Sequence, residues 1–276
     1  MTFNINPKIN IIRSLVIVSI FCIQSVMALP VQSPLTTTEI LTGRTELSIK
    51  DPTGDRHLEG YIWYPTQDLN TAEWAHGNSE AVWEPIKVHP DSAPLDGHFP
   101  LVVLSHGLFG TAHNQAWLAE SLVKHGFIVA AIHHPGTSHF FRDPIHRKKL
   151  WQRAEDISRV IDYVTTEYKF ANHINQDQIF MAGHSLGGFT AMLLAGARYN
   201  RDVFQQFCIQ DPNELVCSLF SAWNIAQTES DRISMEQDWS DNRIRAFAIF
   251  DLGGTQSLSR ESLAAIEQPL LIFGAP

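Results

Sequence analysis

Gly183-His184-Ser185-Leu186-Gly187-Gly188 is the stretch that decides how this chain folds. The residues before it, Ile179-Phe180-Met181-Ala182, are apolar, as a buried strand requires. The residues after it, Phe189 to Leu194, suit a buried helix. G-x-S-x-G between a strand and a helix makes a sharp turn, and its two glycines let strand and helix approach around a strained, presented serine. The alternative is a glycine-rich turn whose serine only caps the helix. A presented serine needs a histidine to take its proton, and in this arrangement the chain order is Ser, then Asp or Glu, then His. The chain has thirteen histidines, and the last is His184.

Outward from the turn, short apolar runs alternate with helical periods. Leu101-Val102-Val103-Leu104 predicts a buried strand, residues 115–125 a helix stopped by Gly126, and Phe127 to Ile132 the next strand. Leu150, Trp151, Ala154, Ile157, Ile161 and Val164 recur at three- and four-residue steps and mark one face of a long helix. Gln178 to Ala182 enters the turn and Leu186 to Ala197 leaves it. Residues 200–241 read as an insertion, and Ile244 to Phe250 and Pro269 to Phe273 as two further strands. Upstream, Thr45 to Lys50 and Leu58 to Tyr64 flank Asp51-Pro52-Thr53-Gly54 and predict an opening hairpin. Residues 65–99, with Trp74 and Trp83 among Pro, Gly, Asp and His, read as a long surface connection, and residues 29–44 as a flexible lead. The pattern predicts one α/β domain over 45–276, a mostly parallel sheet covered on both faces with an N-terminal antiparallel hairpin.

Lys8 and Arg13, the apolar run Ser14 to Val26 and the small-residue site Val26-Met27-Ala28 predict a signal peptide over residues 1–28, with an uncleaved anchor as the alternative. Ser19, Gln24 and Ser25 interrupt the run, which is short for a membrane span. Cys22 lacks the small residues that precede a lipid-modified cysteine. The expected location is periplasmic or secreted, after cleavage near Ala28. Cleavage removes two bases and no acid, so the net charge moves from −9 to −11. Such acidity argues against a nucleic-acid partner. Cys208 and Cys217, nine positions apart, are expected to form a disulfide in an oxidising compartment, two unrelated thiols being the alternative. No further Cys or His lies near them at ligand spacing, and neither a metal nor an organic cofactor is implied.

A serine that attacks a carbonyl needs N–H donors for the oxyanion. The backbone of Leu186, at the helix start, is one candidate. Ser105-His106-Gly107-Leu108-Phe109-Gly110 follows the strand at 101–104 and should carry the other, Leu108 first and Phe109 next. The run Arg245 to Phe250 delivers Asp251 to the carboxyl end of a strand, where it would orient and stabilise an imidazolium; an ordinary turn before Leu252-Gly253-Gly254 is the alternative. His106, His133, His134 and His139 fall at the same end of the sheet as candidates for a substitute base.

Tyr61-Ile62-Trp63-Tyr64-Pro65, Leu104-Ser105-His106-Gly107-Leu108, His125 to Ala131, Gly183 to Gly188 and the strand to Asp251 occur in an order that resembles one branch of the α/β-hydrolases. That branch includes platelet-activating-factor acetylhydrolases and dienelactone-hydrolase-like esterases, and the resemblance covers about residues 45–276. It implies an α/β-hydrolase fold and a secreted serine esterase acting on carboxylic esters, including phospholipid acyl esters. Ser185 would be the nucleophile, Asp251 the acid, and Leu108 and Leu186 the oxyanion donors. The partner would be a small-molecule or lipid ester, with transient contact to a lipid surface left open. In related sequences a similar His-Pro-Gly stretch is structural, and the chain continues through a further strand to a loop bearing the catalytic His. Gln268 to Pro276 reads as the penultimate strand. The expectation is therefore a domain without its final strand and helix and without its His, nearly inactive as it stands, with a sheet edge unpaired. A degenerate, non-catalytic binding protein that keeps the pocket is the rival, and a peptidase or thioesterase is the alternative among enzymes.

Overall fold

Alternating side chains along the central strands explain why the sheet needs cover on both faces. In the computed structural model, which describes residues 39–69, 71–75 and 85–274, β1 (Leu41–Ile49) and β2 (Leu58–Thr66) form the expected antiparallel hairpin. β1 begins within the stretch read as a lead. The signal-peptide reading at 1–28 and Trp83 lie outside the described residues. Two short strands, β3 (Glu73–Ala75) and β4 (Ile86–Pro90), then pair with each other, and β4 runs parallel to β1. The connection read over 65–99 is therefore partly sheet. Ile86 and Val88 alternate with Lys87 and are buried, a two-residue period that overrides the polar composition around it.

The parallel core follows the sequence closely. β5 (Phe99–Ser105), α1 (Ala116–Lys124), β6 (Ile128–His133), a short α2 (Pro144–Arg147), α3 (Gln152–Thr166), β7 (Ile174–His184) and α4 (Leu186–Leu194) come in that order. α5 (Arg201–Gln210), α6 (Leu215–Ala222) and α7 (Glu229–Glu236) fill the insertion before β8 (Ile244–Phe250), α8 (Arg260–Ala264) and β9 (Leu270–Phe273). The strand order is β3-β4-β1-β2-β6-β5-β7-β8-β9, with β6, β5, β7, β8 and β9 all parallel.

Leu101 and Val103 of β5, Ile128 and Ala130 of β6, and Ile179 and Met181 of β7 face α3 and α4 in one buried cluster. Val102, Leu104, Val129, Ala131 and Ala182 face the opposite side, where Ala116, Ala119 and Val123 of α1 cover them. This is the doubly covered α/β-hydrolase architecture that the sequence predicted. Among the described strands β9 is the outermost on its side, and Leu271, Ile272 and Phe273 are exposed there. Cys208 of α5 and Cys217 of α6 are joined in a disulfide, with Cα atoms 5.6 Å apart. None of the described helices is long and apolar enough to cross a membrane.

Candidate active site

The backbone at the end of β7 shows why the motif needs its residue types. A Cβ on Gly183 would fall 2.1 Å from the carbonyl oxygen of Gly187, and one on Gly187 would fall 1.9 Å from that of Ser105. Only glycine allows strand, helix and the neighbouring β5 to approach this closely. Ser185 between them has φ 53° and ψ −114°, a strained conformation for a residue with a side chain. Its N–H donates to the carbonyl of Phe250 (2.8 Å), which ties the turn to the end of β8.

Leu108 and Leu186, the two residues expected to carry the donors, lie beside this serine. The N–H of Leu186 lies in the first turn of α4, where helical geometry supplies no carbonyl partner. Gly107 packs against the turn, since a Cβ there would lie 3.3 Å from Cβ of Ser185. Leu108 follows it, and among the described residues its N–H donates to no backbone carbonyl. The second choice, Phe109, does not qualify: its N–H donates to the carbonyl of Thr137 (2.7 Å) and is already used. Leu108, Trp117, His184, Ser185 and Phe250 line a cavity of about 390 Å³, and Trp117 at its side is 50% exposed.

Asp251 sits at the carboxyl end of β8, level with the turn through the pairing of His184 with Phe250. Its φ is 50°, its N–H donates to the carbonyl of Phe273 (2.7 Å), and its side chain is exposed. Among the described residues its carboxylate has no hydrogen-bond or ion-pair partner, and no imidazole hydrogen-bonds the Ser185 hydroxyl. Of the four histidines considered as substitutes, two have both ring nitrogens engaged elsewhere. His106 Nδ1 donates to the carbonyl of Gly107 (2.6 Å) and its Nε2 accepts from the N–H of His134 (3.0 Å). His134 Nδ1 donates to Asp156 (2.9 Å) and its Nε2 accepts from the Ser105 hydroxyl (2.9 Å). Nδ1 of His133 accepts from the N–H of Ala112 (3.0 Å), and His139 Nδ1 accepts from Arg142 (2.9 Å).

Beneath the site lies a polar network that the sequence reading missed. Arg56 binds Asp156 through two parallel hydrogen bonds of 2.7 and 2.8 Å, and Asp156 holds His134. His134 in turn holds Ser105, and Arg153 donates to Ser105 Oγ. Asp156, His134 and Ser105 are wholly inaccessible to solvent. Burial, reinforced by the Arg153 charge, pushes His134 down to about 3, and burial alone takes His133 down to about 4. His106 is likewise driven well below its ordinary value by burial and by Arg153. Burial would raise Asp156, but the Arg56 guanidinium and the His134 hydrogen bond outweigh it and hold the carboxyl at about 2. The imidazoles are therefore neutral and the carboxylate charged at neutral pH. Among the described residues no group of three or more His, Cys, Asp or Glu is placed to hold a metal ion.

Comparisons with known proteins agree with this geometry over parts of the chain. A family model, Hydrolase_4 (serine aminopeptidase, S33), matches residues 98–210. Cutinase est2 of Thermobifida alba is 32% identical over 99 residues, which are 35% of this chain and 30% of that protein. A platelet-activating factor acetylhydrolase of Bos taurus is 25% identical over 34% of this chain and 31% of its own length. The matches thus span about a third of these relatives. A ferulic acid esterase from Streptomyces cinnamoneus superposes with a TM-score of 0.56 at 21% identity, covering 88% of this chain and 66% of the other. Strand order, the strained turn at Ser185 and these likenesses together show the α/β-hydrolase fold.

Proposed function

We propose that this chain is the body of an exported carboxylic-ester hydrolase that works through an acyl-enzyme on Ser185. The observation that carries the reading is the strained Ser185, flanked by the uncommitted N–H groups of Leu108 and Leu186. Ser185 Oγ attacks the ester carbonyl carbon while an imidazole takes its proton. The two N–H groups hold the oxyanion, and the alcohol leaves with the proton. Water then attacks the acyl-enzyme by the same route. Asp251 orients the imidazole. His106 and His134 are fully engaged elsewhere and do not supply that imidazole.

The substrate class is a small-molecule or lipid ester. Phe140 and Ile145, 60% and 63% exposed, stand beside Arg142, whose guanidinium lies over the Phe109 ring at 4.6 Å. That apolar and basic rim next to Leu108 favours a lipid ester over a freely dissolved one. The test begins with the coding DNA beyond codon 276, which should read on into an apolar strand and a His-bearing loop. The full product should then react at Ser185 with a fluorophosphonate, one label per chain, and hydrolyse a nitrophenyl ester without turning over amides or thioesters. A full product whose Ser185 stays unlabelled is instead the degenerate, non-catalytic binding protein.

A further inference from the structure

Arg153 is a buried cation without a carboxylate of its own. It is 1% exposed, and the one carboxylate in its network, Asp156, is held bidentately by Arg56. Its guanidinium instead spends its hydrogen bonds on three neighbouring elements. Nη2 donates to the carbonyl of His106 (2.6 Å) and to Ser105 Oγ (3.0 Å). Nη1 donates to Thr137 Oγ1 (2.5 Å), and Nε donates to Thr190 Oγ1 (2.9 Å) on α4.

These contacts converge on the loop that carries Leu108. His106 lies two residues before Leu108 and Thr137 accepts from Phe109, the residue after it. Thr190 lies one helical turn beyond Leu186. One planar fork thus reaches both oxyanion-donor segments and the loop that braces one of them. The Ser105–His134–Asp156 relay has the hydrogen-bond order of a catalytic triad but does not act as one. All three groups are sealed from solvent, and the Ser105 hydroxyl is spent between His134 and Arg153. Its evident use is to hold Ser105 Oγ as an acceptor for Arg153.

We propose that Arg153 is the positioning residue of the oxyanion hole, clamping the His106 carbonyl and Thr137 so that the Leu108 N–H stays aimed at Ser185. The proposal rests on the reading of Ser185 as nucleophile, and its test separates the two. In the full-length protein, Arg153→Lys keeps the charge and loses the fork. Two readouts are taken beside a thermal melt. One is amide exchange of residues 105–110 by mass spectrometry. The other is the rate of phosphonylation of Ser185, in which Oγ forms the P–O bond, fluoride leaves and the hydroxyl proton passes to solvent.

The expected result is faster exchange confined to 105–110 and labelling slowed by about tenfold to a hundredfold, the scale of a displaced oxyanion donor. Wild-type exchange and labelling in a folded Arg153→Lys variant would overturn the proposal. So would an exchange increase spread evenly over β5 to β8, which marks a merely structural arginine. If Arg153→Lys does not fold, Thr137→Val removes one contact and keeps the cation; the same local increase supports the clamp, and unchanged exchange refutes it. A wild-type protein that is not labelled at Ser185 defeats the esterase reading alone, because the exchange at 105–110 still decides the role of Arg153.

Discussion

Ser105 and Ser185 end up one strand apart at the same end of the sheet, yet they live under opposite conditions. Ser105 closes β5, is sealed from solvent, and stands in line with an imidazole and a carboxylate. Ser185 follows β7, is partly exposed beside a 390 Å³ cavity, and sits in a strained backbone with Asp251 nearby. The sealed serine has the relay and no access; the open one has access, strain and free N–H donors. Hydrogen-bond order alone therefore does not identify a nucleophile. On the proposed esterase reading, what distinguishes Ser185 is room for a carbonyl and donors for the charge that would develop on it.

Removing each serine in turn should separate them most sharply. Ser185→Ala should abolish labelling and lower ester hydrolysis by the full product by at least about a thousandfold. Ser105→Ala should leave Ser185 the labelled residue. Its effect should instead appear in denaturant unfolding as a loss of about 1–3 kcal/mol, because His134 and Arg153 each lose a buried partner. If Ser105→Ala abolished labelling with the fold intact, the division of labour drawn above would be wrong.

The second test removes the charge at the base of the relay. Asp156→Asn leaves the Arg56 guanidinium buried without its carboxylate and should cost about 3–5 kcal/mol, read from the urea midpoint. Acid attacks the same network by linkage. His134, His133 and His106 have native pKa values below their unfolded value, so on acidification the unfolded chain takes up protons that the native state refuses. Stability is fully present above the unfolded imidazole pKa of about 6.5 and falls as pH drops toward the native values. The slope is on the order of 1.4 kcal/mol per pH unit for each wholly neutral imidazole. Asp156 adds a further loss as pH falls below about 3.9 toward its native value. Thermal melts from about pH 7 down to about pH 4.5 should show this slope, and His134→Gln should flatten it. The last expected effect lies away from both serines and leaves the site untouched. Cys217→Ser opens the α5–α6 loop and should cost about 3 kcal/mol without changing Ser185 labelling.

Residues whose burial follows a simple period were legible in the sequence. The hairpin, the apolar runs of β5 to β7 and the glycine requirement at 183 and 187 were all readable from pattern and turn chemistry. β3 and β4 were not, because composition over 65–99 hid the short Ile86-Lys87-Val88 alternation. The relay was missed for a different reason. Arg153 and Asp156 lie on the same buried stripe of α3 as Ala154, Ile157 and Val160, where an apolar residue is the default. Two charges three positions apart on such a stripe were the available signal. Their partners Arg56, Ser105 and His134 come from distant parts of the chain, and only the fold brings them together. That the Phe109 N–H is already used likewise depends on a long-range contact, the hydrogen bond to Thr137.

The backbone at Ser185 also bears on how a descendant of this protein would drift. A serine at φ 53° and ψ −114° costs the fold on the order of 1–3 kcal/mol that glycine would not. Gly183 and Gly187 are locked by packing, so a lineage that lost the proposed esterase activity would keep both of them. Position 185 is the one place in the motif where losing the chemistry would bring a gain in stability. On the proposed reading, glycine there among descendants would mark lost chemistry even while the motif around it stayed intact.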